Sequence, residues 1–196
     1  MTKLEHPSSE RNKQPILEVL RRVLPSNATV LEIAGGSGQH AVYFSGNLPG
    51  INWLPTDIDE GRLASIRAWR EESSCSNLLE PRRLDVLDDD WDIGTVDVVF
   101  SSNMVHITPW DCCLGLLAGA RRHLTPGGLL VFYGPFRIGG EHTAPSNVAF
   151  DENLRGRDPS WGVRDLEAIR DAADGLVLEE RTEMPAKNQI LVFRRE

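Results

Sequence analysis

The stretch Thr29–Phe44, TVLEIAGGSGQHAVYF, joins a strand-like run to a helix-like run through a turn of small residues. Gly36, Gly38 and Ala41 satisfy the pattern G-x-G-x-x-A, and an acid, Asp57, follows about 20 residues later. Small residues let the backbone approach a ligand closely, and the next helix offers its N-terminal amides. On this pattern alone, a nicotinamide or flavin dinucleotide is a candidate ligand.

The acid that precedes this turn, Glu32, favours a cationic ligand instead. A carboxylate beside a pyrophosphate would repel it, and that repulsion is costly where the dielectric constant is low. S-adenosylmethionine carries an ammonium and a sulfonium, and its ribose suits Asp57. The combination predicts S-adenosylmethionine, although a tight strand-to-helix turn that holds no ligand would have a similar composition.

Three residues are candidates for the chemistry because they follow predicted strands four and five, whose carboxyl ends bind ligands in open α/β sheets. His106 in NMVHITPW is the preferred general base, since imidazole titrates near neutral pH. Packing of this ring in the core is the alternative. Tyr133 is predicted either to orient a substrate or to cap the core. His142 lies in a polar segment that either lines a pocket or bonds to itself.

The elements that position these residues alternate between strands and helices. An amphipathic helix is predicted from Asn12 to Leu24, with Asn12 as its cap and Pro15 in its first turn. Strand-like runs follow at TVLEI, INWLPTD, RRLDV, VDVVFSSN and LLVFYGPF, separated by helical patterns. Two final strands flank a short PAK turn, so the last strand is expected to be antiparallel. The alternation predicts an α/β fold with helices on both faces of a mostly parallel sheet.

The composition of the 196 residues fits one domain, 1–196, of a soluble protein. The net charge of −8 and the scattered arginine pairs argue against a nucleic-acid partner, and no stretch approaches a membrane span. Three cysteines without a C-x-x-C pair predict neither a disulfide framework nor a metal site, and a reducing cytoplasm is the expected location. Residues 1–11 are predicted to be flexible. The Gly- and Pro-rich segment 137–162 is predicted to be an insertion that covers the substrate.

The motifs VLEIAGGSG, PTDID, RLDV and LTPGGLLVFYGPF, in this order, resemble a class I S-adenosylmethionine-dependent methyltransferase. The fuller set, with ERNKQPILEVL, SSNMVHITPW, HTAPSNVAFDENLRGRDPSWGVRDLE and MPAKN, resembles the methyltransferase-like twenty-six family, whose members have no settled substrate. The match runs from about Glu10 to Arg194. The resemblance implies a Rossmann-like, three-layer α/β/α fold. Its seven-stranded, mostly parallel sheet would have the order 3-2-1-4-5-7-6, with strand 7 antiparallel.

The same resemblance assigns cofactor contacts by position. Glu32 and the turn residues Ala34, Gly35, Gly36 and Gly38 would meet the methionine end of the cofactor. Asp57 would hold the ribose, and Ile58 would pack on the adenine. The remaining implied contacts are Asn12, Asp85, Val86, Ser102 and Asn103. Ala34 stands where the class I turn usually has its first glycine, so a shifted pose of the cofactor is expected.

The sequence therefore predicts an enzyme that transfers a methyl group from S-adenosylmethionine to a small-molecule acceptor. Two alternatives stay open, a nicotinamide-dependent oxidoreductase that uses the same glycine turn and a non-catalytic protein that binds S-adenosylmethionine. Neither the acceptor atom nor the oligomeric state can be read from these residues.

Overall fold

A single sheet of seven strands organises the computed structural model, which describes residues 3–196. The strands are β1 Ala28–Ile33, β2 Ile51–Asp57, β3 Arg82–Arg83, β4 Val96–Ser102, β5 Leu124–Gly134, β6 Leu176–Glu183 and β7 Gln189–Arg195. Their order is β3-β2-β1-β4-β5-β7-β6. The neighbours from β3 to β5 pair in parallel, and β7 lies antiparallel between β5 and β6. The predicted strand order and the antiparallel last strand are confirmed.

Helices cover both faces of this sheet, as predicted. They are α1 Pro7–Val23, α2 Gln39–Asn47, α3 Glu60–Glu72, α4 Trp110–His123, α5 Pro145–Arg157 and α6 Leu166–Ala172, with short 3-10 helices at Met104–His106 and Pro185–Lys187. Leu17 of α1 and Phe44 of α2 share a buried apolar cluster with Phe100. Leu116 of α4 and Ile169 of α6 belong to the cluster on the other face. Within residues 3–196, no helix combines the length and the apolar character that a bilayer crossing requires.

The first helix differs from its predicted form. α1 begins at Pro7, so Asn12 and Pro15 both lie inside it, and Pro15 does not occupy its first turn. Proline suits the first helical position because its missing N–H is not needed there. The backbone N–H of His6 donates to Gln39 Oε1 at 2.6 Å, which fixes this early start. Local sequence favoured a cap at Asn12, and the contact with α2 overrides that preference.

The predicted flexible segment 1–11 is packed in its described part. The N–H of Leu4 donates to Ser65 Oγ at 2.7 Å, and Trp69 Nε1 donates to the Leu4 carbonyl at 3.0 Å. These bonds hold residues 3–6 against α3, ahead of the start of α1. The first two residues of that segment lie outside the described part of the chain.

Two further boundaries differ from prediction. β3 is reduced to Arg82–Arg83, and the expected break at TPGG lies inside β5. There the pairing of β4 with β5 changes register, because Val96 pairs with Leu124 and Val98 pairs with Leu129. The additional residues of β5 between these two pairs form a bulge. The segment 137–162 contains α5, so it is an ordered element with its own helix.

The glycine turn after β1 packs tightly against α3. Gly38 has φ +94°, and a Cβ added to it would come within 2.9 Å of the Ile66 Cα. A side chain is therefore excluded at Gly38 both by the backbone conformation and by the neighbouring helix. This close approach holds α2 and α3 beside the end of β1.

Gly38→Ala is expected to lower the free energy of unfolding by about 2–4 kcal/mol, because a left-handed alanine and an overpacked contact each cost about 1–2 kcal/mol. Gly139→Ala is the matched control, since Gly139 also has positive φ, +59°, but has nothing within 4 Å of an added Cβ. It should cost only about 1 kcal/mol. Urea denaturation measures both, and equal losses would contradict the close packing on Ile66.

Candidate functional site

Three cavities lie along the carboxyl ends of β1, β2, β4 and β5. The turn cavity, about 140 Å³, is lined by His6, Ser8, Ser9, Asn12, Glu32, Ala34, Gly35, Gly36, Ser37, His40, Arg62, Ser102, Asn103, Met104 and Ile107. The edge cavity, about 250 Å³, is lined by Ile33, Ala34, Asp57, Ile58, Arg62, Leu84, Asp85, Val86, Met104, Ile107, Thr108, Cys112, Arg157 and Trp161. The large cavity, about 640 Å³, is lined by Ser8, Arg11, Asn12, Pro15, Asn103, Tyr133, Pro135, Ser146, Asn147, Phe150, Pro185, Ala186 and Asn188.

The turn cavity contains a buried carboxyl group. Glu32 is only 2% exposed, and its Oε2 accepts a hydrogen bond from Trp53 Nε1 at 2.8 Å. Burial raises the pKa of Glu32 to about 8, the bond from Trp53 opposes this rise, and the negative charge of Asp57 adds to it. At pH 7 most molecules therefore hold Glu32 protonated. A cation in the cavity would favour loss of that proton.

Three residues of the turn have a left-handed backbone conformation. Ala34, Gly36 and Gly38 have φ angles of 57°, 60° and 94°. A non-glycine residue pays roughly 1–2 kcal/mol for this conformation. Ala34 thus adopts the conformation for which glycine is preferred, and its Cβ contributes to both the turn cavity and the edge cavity. The N–H of Gly35 is bonded to the Thr56 carbonyl at 2.8 Å, which ties the turn to β2.

Asp57 joins the turn to the edge cavity. Its Oδ2 accepts from the N–H of Gly36 at 3.0 Å, and its Oδ1 accepts from the N–H of Asp59 at 3.0 Å. The guanidinium of Arg62 lies 3.8 Å away. A carboxylate has acceptor capacity beyond two hydrogen bonds. Asp57 can therefore shape the turn and still accept a hydrogen bond from a ligand.

The edge cavity combines apolar surface with acidic side chains. Ile58 is 51% exposed and, with Val86, offers apolar surface to a flat ligand. Asp85 lies at the same cavity. Trp161 closes it from the segment 137–162, and the Arg157 guanidinium lies 5.1 Å from the centre of the Trp161 ring. The edge cavity thus suits an aromatic group with polar substituents.

The turn cavity and the large cavity meet at three polar residues, since Ser8, Asn12 and Asn103 line both. Asn103 follows β4 with φ 61°, and its N–H donates to the Tyr133 carbonyl at 2.8 Å. Such strained, well-anchored positions are common at functional sites. These three residues therefore mark the place where the turn cavity and the large cavity come closest in the residues that line them.

Asn12 links α1 to two ring side chains. Its Oδ1 lies 2.8 Å from His40 Nε2. Burial lowers the pKa of His40 to about 4, so this imidazole is neutral at pH 7. Burial also raises the pKa of Tyr133, against the opposing effect of a hydrogen bond with Asn12. Tyr133 therefore keeps its hydroxyl proton at neutral pH, and this residue lines the large cavity.

The histidines predicted to act in catalysis lie apart from these cavities. His106 is fully buried against Phe136, with ring centres 4.9 Å apart, and its Nδ1 lies 3.4 Å from the N–H of Arg164. Burial, with the charge of Arg164, lowers the pKa of His106 to about 3. His142 lies 3.6 Å from Asp151 within the segment 137–162. Among the cavities described above, none is lined by His106 or His142.

The predicted cofactor residues are brought together, with one exception. The turn cavity is lined by Asn12, Glu32, Ala34, Gly35, Gly36, Ser102 and Asn103. The edge cavity is lined by Ala34, Asp57, Ile58, Asp85 and Val86. Gly38 lines neither, because it faces Ile66 and sets the path of the turn. Over residues 3–196, the structure contains no cluster of three or more His, Cys, Asp or Glu side chains fit to hold a metal ion.

Sequence reasoning found the large cavity only in part. Asn147 and Phe150, from the segment predicted to cover the substrate, line it, and Arg11 joins them from α1. The Pro185–Lys187 turn completes its wall, held by a hydrogen bond from Asn147 Nδ2 to the Lys187 carbonyl at 3.1 Å. The motifs ERNK and MPAKN contain two parts of this wall. They lie far apart in sequence, so their meeting could be seen only in three dimensions.

The family model that matches this chain is described as a protein of unknown function, DUF938, and the match spans residues 3–195. An O-methyltransferase family protein from Burkholderia thailandensis is similar in structure, with a TM-score of 0.81 at 18% identity over 96% of this chain and 57% of that one. An O-methyltransferase family 2 protein from Planctomyces limnophilus, in complex with apigenin, has a TM-score of 0.78 at 19% identity, over 96% of this chain and 60% of that one. Human N-acetylserotonin methyltransferase, in complex with SAM, has a TM-score of 0.77 at 15% sequence identity, over 96% of this chain and 52% of that one.

This chain thus spans between about half and three fifths of the length of those proteins. At these identities the likeness shows the fold. It confirms the predicted Rossmann-like methyltransferase fold with its mostly parallel sheet.

Glu32→Gln is expected to change how stability depends on pH. Below pH 4.5 Glu32 is neutral in both the folded and the unfolded chain. Its stabilising contribution to the free energy of unfolding is therefore fully present there. Between pH 4.5 and about 8 the unfolded chain ionises first, and this contribution is lost as the pH rises through the folded pKa. The variant has no such proton, so it should match the parent near pH 5.

Near pH 9 the same variant should be more stable than the parent by about 2–4 kcal/mol. Guanidinium unfolding from pH 5 to 9 measures the difference. Parallel curves for the two proteins would contradict a neutral Glu32 in the folded chain.

Proposed function

The chain belongs to the DUF938 family, and we propose that it transfers a methyl group from S-adenosylmethionine to a small-molecule acceptor. One observation carries this proposal. The turn cavity, with its buried carboxyl group, lies next to the large cavity and shares the lining residues Ser8, Asn12 and Asn103 with it. The first cavity has the size and chemistry for a cationic amino acid group, and the second has the volume of a small-molecule site.

The residues along the turn and edge cavities fit S-adenosylmethionine. Glu32 would bind the ammonium group, and the small residues of the turn would let the methionine part approach the backbone closely. Asp57 and Asp85 would accept hydrogen bonds from the ribose, while Ile58 and Trp161 would flank the adenine. When bound, this cofactor supplies a methyl group on a positively charged sulfur.

The roles of the chain's own residues follow from their places. Asn12 and Asn103, which line both cavities, would lie between the cofactor and the acceptor, and Tyr133 would donate a hydrogen bond to the acceptor. Catalysis would rest on positioning and on the exclusion of water. We propose that His106 packs in the core beside Phe136 and is not a general base. Its full burial and its pKa of about 3 make it a poor proton acceptor at neutral pH.

We also keep two finer assignments as proposals. The motifs ERNK and MPAKN, which both contribute residues to the lining of the large cavity, support membership of the methyltransferase-like twenty-six group. The cover formed by the segment 137–162 is proposed to enclose the acceptor through Phe150 and the adenine through Trp161.

The oxidoreductase alternative predicts the opposite dependence of ligand binding on pH, because of the proton on Glu32. A cation that binds beside Glu32 expels the proton which that group holds at pH 7, whereas the phosphates of a dinucleotide would favour keeping it. The binding of a methionine-type ligand should therefore strengthen as the pH rises towards 8. The binding of a dinucleotide should strengthen as the pH falls.

Titration with S-adenosylhomocysteine tests the proposal. Calorimetry near pH 7, in two buffers of different ionisation enthalpy, is expected to show proton release on binding. Glu32→Gln should abolish the release and weaken affinity about 10- to 100-fold, the effect of losing a hydrogen bond to a charged partner. Glu18→Gln, the same change on the exposed face of α1, should alter neither.

Tight binding of NAD or NADP without binding of S-adenosylhomocysteine would overturn the proposal. A protein that binds S-adenosylhomocysteine with proton release but methylates nothing in a broad screen of small molecules would be the non-catalytic binder. Product formation from S-adenosylmethionine in that screen would establish the enzyme.

The role of His106 has its own test. His106→Ala is expected to lower the free energy of unfolding by about 2–4 kcal/mol, since it empties a fully buried site. At a temperature where the variant is folded, affinity for S-adenosylhomocysteine and turnover of any acceptor found in the screen should persist. Full stability with turnover lost would instead identify His106 as the general base.

A further inference from the structure

The large cavity carries charge of one sign. Among the lining residues that the structure describes, Arg11 alone is ionised at neutral pH. The whole chain, by contrast, contains 29 Asp and Glu residues and has a net charge of −8. An anion entering this cavity meets an attractive charge, whereas a cation meets no opposite charge on its lining.

The guanidinium of Arg11 is not engaged elsewhere. Arg11 is exposed on α1, and between residues 3 and 196 no hydrogen bond or ion pair involves its side chain. The neighbouring acid, Glu10, is paired with Lys13. The five N–H groups of Arg11 are thus open to a ligand.

The large cavity also lacks a group that takes up protons. Its lining, over residues 3–196, contains no Asp, Glu, His, Lys or Cys. Tyr133 keeps its proton because burial raises its pKa. An alcohol or an ammonium group must lose a proton before it attacks a methyl carbon. An acceptor of that kind would have no base at this site.

The shape of the lining adds a second constraint. Flat apolar surface comes from Pro15, Pro135, Phe150 and Pro185, and amide groups come from Asn12, Asn103, Asn147 and Asn188. A planar body with polar edges complements this division. Aromatic and proline rings pack well against flat groups.

We propose, on the basis of the function proposed above, that the acceptor is a small planar acid that binds and reacts as its anion. An acidic phenol, a thiol or a carboxylic acid belongs to this class. The electron pair of the anion forms the bond to the methyl carbon, the carbon–sulfur bond breaks, and its pair neutralises the sulfonium. No proton moves, so no base is needed. Arg11 selects the charge, and Tyr133 and Asn103 orient the reacting atom.

Equilibrium binding of a matched pair of probes tests the charge preference without turnover. With the protein saturated with S-adenosylhomocysteine, benzoate should bind more tightly than benzamide, which has the same ring without the charge. Arg11→Gln should weaken benzoate binding roughly five- to tenfold, as expected for a charge pair partly open to solvent, and should leave benzamide unchanged. Arg11→Lys should restore part of the loss. Arg21→Gln, on the exposed side of the same helix, is the control.

The state of the bound acid is read directly with 4-nitrophenol, whose anion absorbs at longer wavelength than the neutral phenol. The bound probe is expected to titrate at lower pH than the free probe, and Arg11→Gln should reduce this shift. Affinity for S-adenosylhomocysteine should be the same in all of these variants, because Arg11 does not line the turn cavity.

The outcomes separate this inference from the proposed function. A protein that binds S-adenosylhomocysteine but prefers benzamide, binds neither probe, or holds 4-nitrophenol as the neutral phenol overturns the anionic acceptor alone. A protein that does not bind S-adenosylhomocysteine overturns the proposed function. Benzoate preference that depends on Arg11, with the lowered titration of 4-nitrophenol, supports the inference.

Discussion

The burial of one carboxyl group, Glu32, constrains the rest of the site. A buried acid is tolerated only when its hydrogen-bonding needs are met, and here Trp53 meets one of them across β1 and β2. The turn that follows bends sharply next to this group, with Ala34, Gly36 and Gly38 in left-handed conformations, and is tied to β2 by the bond from the Gly35 N–H to the Thr56 carbonyl. The packing of Gly38 on α3 then preserves that bend. Strand pairing, turn and helix packing therefore all serve the placement of one side chain.

Much of the fold was readable because the signals are local. Runs with strand character located every strand, although the bounds of β3 and β5 differ, and eleven of the twelve cofactor contacts assigned by the resemblance line the turn cavity or the edge cavity. What local sequence left open or placed differently depends on contacts between distant segments. The start of α1 is fixed by Gln39, and the inward orientation of His106 is fixed by Phe136 and Arg164. No periodicity in the surrounding residues encodes those partners.

The helix α5 connects the two halves of the site. Its first turns place Asn147 and Phe150 at the large cavity, and its last residue, Arg157, lies at the edge cavity beside Trp161. Asp151, in the middle of the helix, is anchored by the Val163 amide at 2.6 Å and by Arg155 at 3.0 Å. One rigid element thus touches both ligand regions. Any shift of α5 that improves contact with one ligand alters the wall offered to the other.

The polar groups divide the chemistry between the cavities. The turn cavity holds a proton on Glu32 that a cation can displace, while the large cavity holds Tyr133 protonated and Arg11 charged. A cationic ligand in the turn cavity and an anionic ligand in the large cavity would attract each other across Asn12 and Asn103, which line both cavities. Transfer of a methyl group between them removes both charges. A site of low dielectric favours that loss of charge, because separated ions are costly there and neutral products are not. Exclusion of water when both ligands are bound would then itself promote the reaction, without a proton acceptor.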